Sequence, residues 1–202
     1  DTLESRGLGD VYKRQKGTCN HEIRDSTSII SFWFNQLRPK DWWSKNRKLD
    51  QIIKLKFAAT LNQGTKGSLA NWRSKPLGRL AEIIVLDQFP RHIYRDRGEA
   101  YIFDSRAQSC CLMALDDKAH ISLSARENTF LLMPRIHSEE MELQRSGVEL
   151  LRSYGTKSAH ESAMRHLEVI KKFGRFPHRN SSLERKSTKA EKIYLSSPGS
   201  RF

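Results

Sequence analysis

The spacing of apolar residues constrains the fold of this chain more than any other feature. In segment after segment they recur at three- and four-residue steps, as Leu49, Ile53, Phe57 and Leu61 do. That period is typical of a helix with one face in the core, and no segment shows the alternation expected of a strand. With 202 residues, of which 37% are hydrophobic, the chain is large enough for one domain with a sizeable core. We therefore predict an all-α fold, with residues 28–202 as a single helical bundle or superhelix.

Breaker and capping residues predict where the helices end and begin. The predicted helices cover about 27–37, 48–63, 76–88, 98–115, 124–131, 138–154 and 159–173, and a last short helix opens at Thr188. Ser124 and Thr188 are each followed by Glu at the capping-box spacing. Gly174 should end the seventh helix. In the connector after the first helix, Trp42 and Trp43 are predicted to cover the core.

The third helix should end near Gln88, because Pro90 disfavours helical geometry at Phe89. Asp87 would then lie in the last turn, where the negative end of the helix dipole opposes a carboxylate. This predicts a cationic partner for Asp87: Arg91, Arg95 or an arginine from the other Phe-Pro corner, Gly174–Asn180.

The first residues resemble a translated sequencing adapter. The stretch from Asp10 to Gln15 back-translates to a sequence like the transposase end used in library preparation. We expect residues 1–16 to be such an artefact or disordered, in a metagenomic reading frame, and exclude them from the fold.

The composition limits which partners and which cellular compartment are expected for this chain. The net charge of +13 favours anionic partners, but no block of five like charges occurs, so nucleic acid is an unlikely ligand. No apolar run approaches the roughly 18 residues of a membrane helix, and no signal peptide is visible. Three cysteines, two of them adjacent, form no disulfide framework. These features predict a cytoplasmic protein that does not enter membranes.

Three polar stretches carry the candidate chemistry: Leu86–His92, His137–Glu140 and Gly174–Asn180. We expect them to meet in one pocket. The predicted catalytic residues are Asp87, His137, Glu139 and His178, and the predicted ligand-binding residues are Gln88, Arg91, Arg175, Arg179 and Asn180.

These residue types suit a small anionic ligand. Arginine donates in pairs to phosphate or carboxylate, histidine moves protons near neutral pH, and a carboxylate can orient either or act as a base. No metal is predicted, because His160, Glu161 and His166 do not have the HExxH spacing. No nucleophile elbow, P-loop or GxGxxG motif occurs, so the cofactor stays unknown and an enzymatic role stays open. The alternative is a buried polar network that only fixes helix ends.

The chain resembles a bacterial family of uncharacterised all-α proteins placed among tetratricopeptide-like folds. The resemblance rests on the motifs LDQFPR from Leu86, HSE from His137 and GRFPHRN from Gly174, and covers about residues 28–202. His92 stands where the family usually has Asn, and Glu184 where it usually has Gly. The resemblance implies a fold and no activity. Beside the small-ligand hypothesis it therefore leaves open a protein- or peptide-interaction module, with RNA or DNA binding third.

Overall fold

The structure, a computed structural model, describes residues 23–200, and the regular elements in that range are helices and helical turns. No strand occurs there, so the predicted all-α class is confirmed. In chain order the α-helices are α1 (Ser26–Ser31), α2 (Arg47–Thr65), α3 (Pro76–Ile83), α4 (Phe89–Ile93), α5 (Asp104–Asp116), α6 (Ala125–Ile136), α7 (Met141–Tyr154), α8 (Lys157–Phe173) and α9 (Lys189–Leu195). The adapter-like residues 1–16 lie outside the described residues.

Local capping signals act as predicted. Ser124 accepts a hydrogen bond from the Glu127 N–H, and the Glu127 carboxylate accepts one from the Ser124 N–H. Thr188 and Glu191 form the same reciprocal pair at the start of α9. Gly174 ends α8 with φ of +67°, a left-handed conformation that glycine adopts without a steric penalty.

The prediction that the third helix ends near Gln88 is wrong. A π-helical turn, Ile84–Gln88, joins α3 to α4, and the Phe89 N–H donates to the Ile84 carbonyl. Pro90 then occupies the first turn of α4, where no backbone N–H is required, so the helical path continues to Ile93. Asp87 therefore lies inside a continuous helical segment, and the expected opposition to a helix terminus does not apply.

The segment from α3 to α4 and helix α6 run through the middle of the molecule. All residues from Leu80 to Pro90 are buried, as are all from Asn128 to Pro134. A helix with no exposed face needs neighbours on all sides. The other helices surround these two elements. The two central elements place the π turn beside the end of α6, and the candidate site forms there.

An aromatic cluster covers one end of this core. Trp33, Phe89 and Phe130 are fully buried, with the Trp33 and Phe130 ring centroids 5.5 Å apart. Trp42 joins them and donates its indole N–H to the Trp33 carbonyl at 2.9 Å. Trp43 instead remains 62% exposed and stacks on Phe130. Both tryptophans therefore cover the core as predicted, Trp42 from a buried position and Trp43 from the surface.

A second, smaller apolar cluster fixes the C-terminal part. Val169, Ile170 and Phe176 are buried together, and Phe173 and Tyr194 pack against them. This cluster attaches the corner after Gly174 to α8 and α9. Among residues 23–200, no helix combines the length and the apolar character that crossing a membrane requires.

Candidate functional site

Asp87 and His137 form the centre of the candidate site. Asp87, in the π turn, is completely buried, and His137 caps the C-terminus of α6. The His137 Nδ1 atom lies 2.9 and 3.0 Å from the two Asp87 carboxylate oxygens. An ionised carboxylate can only accept hydrogen bonds, so Nδ1 carries the proton. Nε2 of the neutral ring is then left as the basic atom.

Arg91 joins Asp87 to a second carboxylate. Its Nη1 donates to the Asp87 backbone carbonyl and lies 3.3 Å from the carboxylate. Its Nη2 lies 3.0 and 3.1 Å from the two oxygens of Asp104, the first residue of α5. The Gln88 side-chain amide also donates to Asp87. The Asp87 carboxylate is therefore held by three side chains.

Arg179 completes the group. It lies in the short helical turn Pro177–Arg179 that follows Gly174. Its guanidinium carbon lies 4.6 Å from the ring centroids of both Tyr101 and Phe176, so the cation is sandwiched between two aromatic faces. Its Nη1 reaches Asp104 at 3.4 Å, which is a long contact for an ion pair. Its Nε is buried and has no hydrogen-bond partner among residues 23–200. We call Asp87, Arg91, Asp104, His137 and Arg179 the Asp87 cluster.

The protonation states of the cluster follow from burial and neighbouring charge. Burial opposes ionisation of Asp87, but Arg91 and His137 outweigh it and hold the pKa of the carboxyl well below its usual value. Burial lowers the pKa of His137, and Arg91 adds to the effect although Asp87 opposes it. Burial, and then Arg91, also lower the pKa of Arg179. At neutral pH the cluster thus holds an ionised Asp87 beside a neutral imidazole.

Two further histidines lie around this centre. The His166 ring on α8 is centred 6.3 Å from that of His137, and its Nδ1 donates to the Ser162 carbonyl at 2.8 Å. Burial lowers the pKa of His166 to about 3. Burial, followed by Arg179 and His137, lowers the pKa of His178 to about 3. Both rings are therefore neutral at physiological pH.

Glu139 and Asn180, two other predicted residues, hold the corner that carries Arg179. Glu139 accepts the Phe176 N–H at 2.7 Å and two hydrogen bonds from Arg185 at 2.7 and 2.9 Å. Asn180 accepts from Arg185 and donates to Ser187. The stretch containing His137 is thereby tied to the stretch containing Arg179.

Arg175 is placed apart from the Asp87 cluster. Its Nε and Nη2 donate to the Glu191 carboxylate at 2.7 and 2.9 Å, and Nη2 also donates to the Lys186 carbonyl. These contacts fix the start of α9, so the described structure gives Arg175 a different setting from Arg91 and Arg179.

Sequence reasoning missed Asp104 and Tyr101 and gave no site role to His166. Asp104 and Tyr101 belong to a stretch predicted as one helix from Gly98, whereas α5 begins only at Asp104 after a 3₁₀ turn. No motif marks them. His166 does carry a signal, because it follows Ala163 by three residues on the buried stripe of α8.

A family model described as "Bacterial protein of unknown function (DUF924)" matches residues 29–199. The chain belongs to the DUF924 family. This confirms the predicted resemblance to an uncharacterised bacterial all-α family, while the tetratricopeptide-like shape stays a prediction.

A solved structure supports the same fold. This DUF924 chain is similar to a protein of unknown function, ATU0120 from Agrobacterium tumefaciens, with a TM-score of 0.80 and 27% identity. The match covers 85% of this chain and 96% of that one. Comparison with curated proteins finds no match. Function must therefore be argued from the site.

Proposed function

We propose that the Asp87 cluster binds a small anionic ligand, carrying phosphate or carboxylate, and that His137 acts on it as a general base. The observation that carries this proposal is the state of Arg179. Its side chain is only 7% exposed, yet it makes one long contact to a carboxylate and leaves Nε without a partner in the described chain.

A buried guanidinium in that state is costly. Removing a cation from water is repaid only when its donors are matched by acceptors, and arginine has five N–H donors. Asp104 does not supply the match, because its Oδ2 is shared between Arg91 at 3.1 Å and Arg179 at 3.4 Å while its buried Oδ1 makes no hydrogen bond in the described chain. A ligand phosphate or carboxylate would provide the paired acceptors that a guanidinium fork fits.

The outer members of the cluster are in contact with solvent. Asp87 is fully buried, whereas the side chains of Arg91, Asp104 and His137 are 20%, 14% and 15% exposed. A small ligand would therefore meet the exposed parts of Arg91 and His137 before it met Asp87. This order, with the orienting carboxylate innermost, is the one that a histidine base requires.

His137 has the properties of a general base. Its Nδ1 is fixed by Asp87, and burial lowers its pKa, so the ring is neutral and able to accept a proton at Nε2 near pH 7. Such a base can deprotonate a water molecule or a hydroxyl group of a ligand whose anionic group Arg179 holds. Hydrolysis or group transfer on a small anionic substrate is the reaction class that fits.

Binding can be tested by calorimetry and thermal shift with inorganic phosphate, phosphorylated sugars, nucleotides and dicarboxylates. A ligand at about a hundred times its Kd should stabilise the fold by roughly 2.7 kcal/mol. Arg179→Met should abolish the stabilisation. Arg95→Met, which removes a partly buried arginine paired with Asp50, is the matched control and should retain it. A folded Arg179→Met variant that binds as tightly as the parent would refute the proposal.

Catalysis requires a separate measurement. Ligands that bind should be incubated with the protein and their products followed, with p-nitrophenyl phosphate and p-nitrophenyl acetate as general probes. We expect His137→Gln to retain binding and to lose turnover by about 100-fold or more. Equal turnover by His137→Gln and the parent would remove the base role and leave the binding role standing.

A further inference from the structure

We propose that a groove between the end of α8 and helix α9 docks an acidic peptide segment that carries an apolar side chain. This surface is separate from the Asp87 cluster. The α8–α9 groove has a volume of about 470 Å³ and is lined by Lys172, Phe173, Arg175, Thr188, Ala190 and Glu191.

The floor of the groove offers an apolar contact. Phe173 is half-buried and packs against Tyr194 with ring centroids 5.1 Å apart. Ala190 is exposed beside it, so no large side chain fills the space. Ile193, one helical turn further along α9, is 63% exposed and extends the apolar strip. A single apolar side chain of a partner would find contacts on this strip.

The surroundings of the groove are positively charged. Residues 171–192 contain eight Lys or Arg and two Asp or Glu. Four lysines near the lining are exposed, and these are Lys172, Lys186, Lys189 and Lys192. Glu191, the carboxylate in the lining, is neutralised by its two hydrogen bonds from Arg175. The exposed charge that a partner meets is therefore cationic, which selects an acidic segment.

The chemistry favours peptide over nucleic acid. Arginine forks match phosphate bidentately, and single-stranded bases stack on open aromatic faces. Arg175 is engaged by Glu191, and only part of the half-buried Phe173 ring is open, because Tyr194 packs against it and the Lys172 ammonium lies 5.3 Å from its centroid. Lysines on flexible stems can instead meet carboxylates at variable positions.

Fluorescence anisotropy with the full chain tests this proposal. The probe is a short labelled peptide of alternating glutamate and serine with one central leucine. Burial of the leucine should make it bind about tenfold tighter than the same peptide with serine at that position. Oligothymidylate of equal charge should bind more weakly than the leucine peptide.

Ala190→Glu is the test variant, since it fills the groove with a like charge. A glutamate in the first turn of α9 is favoured by the helix dipole, so the fold should be kept. We expect at least tenfold weaker peptide binding. Lys54→Glu, which changes the net charge more at an exposed site on α2, should stay within about twofold of the parent. Arg179→Met should also leave peptide binding unchanged, which separates this surface from the Asp87 cluster.

Three results would overturn the proposal. Equal affinity for the leucine and serine peptides would show that charge alone binds them. Tighter binding of oligothymidylate would indicate a nucleic-acid surface. Unchanged binding by Ala190→Glu would place the peptide elsewhere or show that the groove is already covered.

Discussion

Two Asp–His–Arg groups lie within residues 23–200, and they are built differently. In the first, which we call the Asp50 clamp, Arg95 donates Nε and Nη2 to the two Asp50 oxygens, both at 2.6 Å. His92 Nδ1 meets the same carboxylate at 2.8 Å. In the Asp87 cluster, His137 holds Asp87 in the same way, but two arginines share Asp87 and Asp104.

The difference lies in whether donors and acceptors match. The Asp50 clamp pairs one guanidinium bidentately with one carboxylate, so both Asp50 oxygens are matched by Arg95 donors. The Asp87 cluster leaves two buried atoms without a hydrogen bond in the described chain, the Arg179 Nε donor and the Asp104 Oδ1 acceptor. A matched group fixes α2 to α4, whereas buried polar atoms left unmatched indicate a binding site.

Removing each carboxylate should give the largest contrast in stability. Asp87→Ala leaves Arg91 and a buried imidazole without their anion, and we expect the free energy of unfolding to fall by about 3–5 kcal/mol. Asp50→Ala should cost less, about 1.5–3 kcal/mol, because Asp50 and Arg95 are partly exposed to water. Urea denaturation of both variants measures this. Equal losses would show that the two groups do the same structural work.

Removal of the arginines should destabilise the Asp50 clamp more than the Asp87 cluster, the opposite of the order expected for the carboxylates. Arg95→Met breaks a matched pair and should lower the free energy of unfolding by about 1.5–3 kcal/mol. Arg179→Met removes an underpaired buried cation and keeps apolar packing between Tyr101 and Phe176. We expect a change within about 1 kcal/mol, of either sign. A loss for Arg179→Met as large as that for Arg95→Met would mean that Arg179 serves the fold.

Signals confined to one turn of chain could be predicted from the sequence. The capping boxes at Ser124 and Thr188 and the glycine stop at Gly174 depend on neighbouring residues alone. Glu184 adopts φ of +54°, a conformation that glycine adopts at lower cost, which agrees with the glycine that the resemblance implies there.

Features that depend on tertiary packing could not be predicted. The π turn that carries the helix past Pro90 depends on the fully buried setting of Leu80 to Pro90. Asp104 enters the site because a 3₁₀ turn delays the start of α5, and nothing in the local sequence marks that delay. The motifs point to arginines, but an arginine paired with a carboxylate and one left underpaired look alike in a sequence.

Acid should weaken the fold through the histidines beside the Asp87 cluster. The unfolded chain binds a proton at His166 below about pH 6.5, while burial lowers the pKa in the folded state to about 3. The free energy of unfolding should therefore fall by about 1.4 kcal/mol per pH unit for this residue as pH drops from 6.5 towards 3. Above pH 7 His166 is neutral in both the folded and the unfolded chain, so it should not make the free energy of unfolding depend on pH.

His166→Asn tests that slope. The asparagine amide can still donate to the Ser162 carbonyl but does not titrate. Urea midpoints between pH 7 and pH 5 should therefore depend less on pH in the variant than in the parent. Identical slopes would show that His166 is protonated in the folded state, contrary to its burial.

The smallest effects on stability should separate the two histidines by function. Asparagine can replace the Nδ1–H donor of histidine, so His92→Asn and His137→Asn should each cost about 1 kcal/mol or less. His92→Asn introduces the residue that the resemblance implies at this position and leaves the Asp87 cluster untouched, so anion binding and any turnover should be unchanged. His137→Asn removes the basic Nε2, so turnover should be lost while binding survives. Equal losses of turnover in both variants would mean that the Asp50 clamp also takes part in the chemistry. The matching of donors and acceptors would then no longer distinguish a structural group from a functional one.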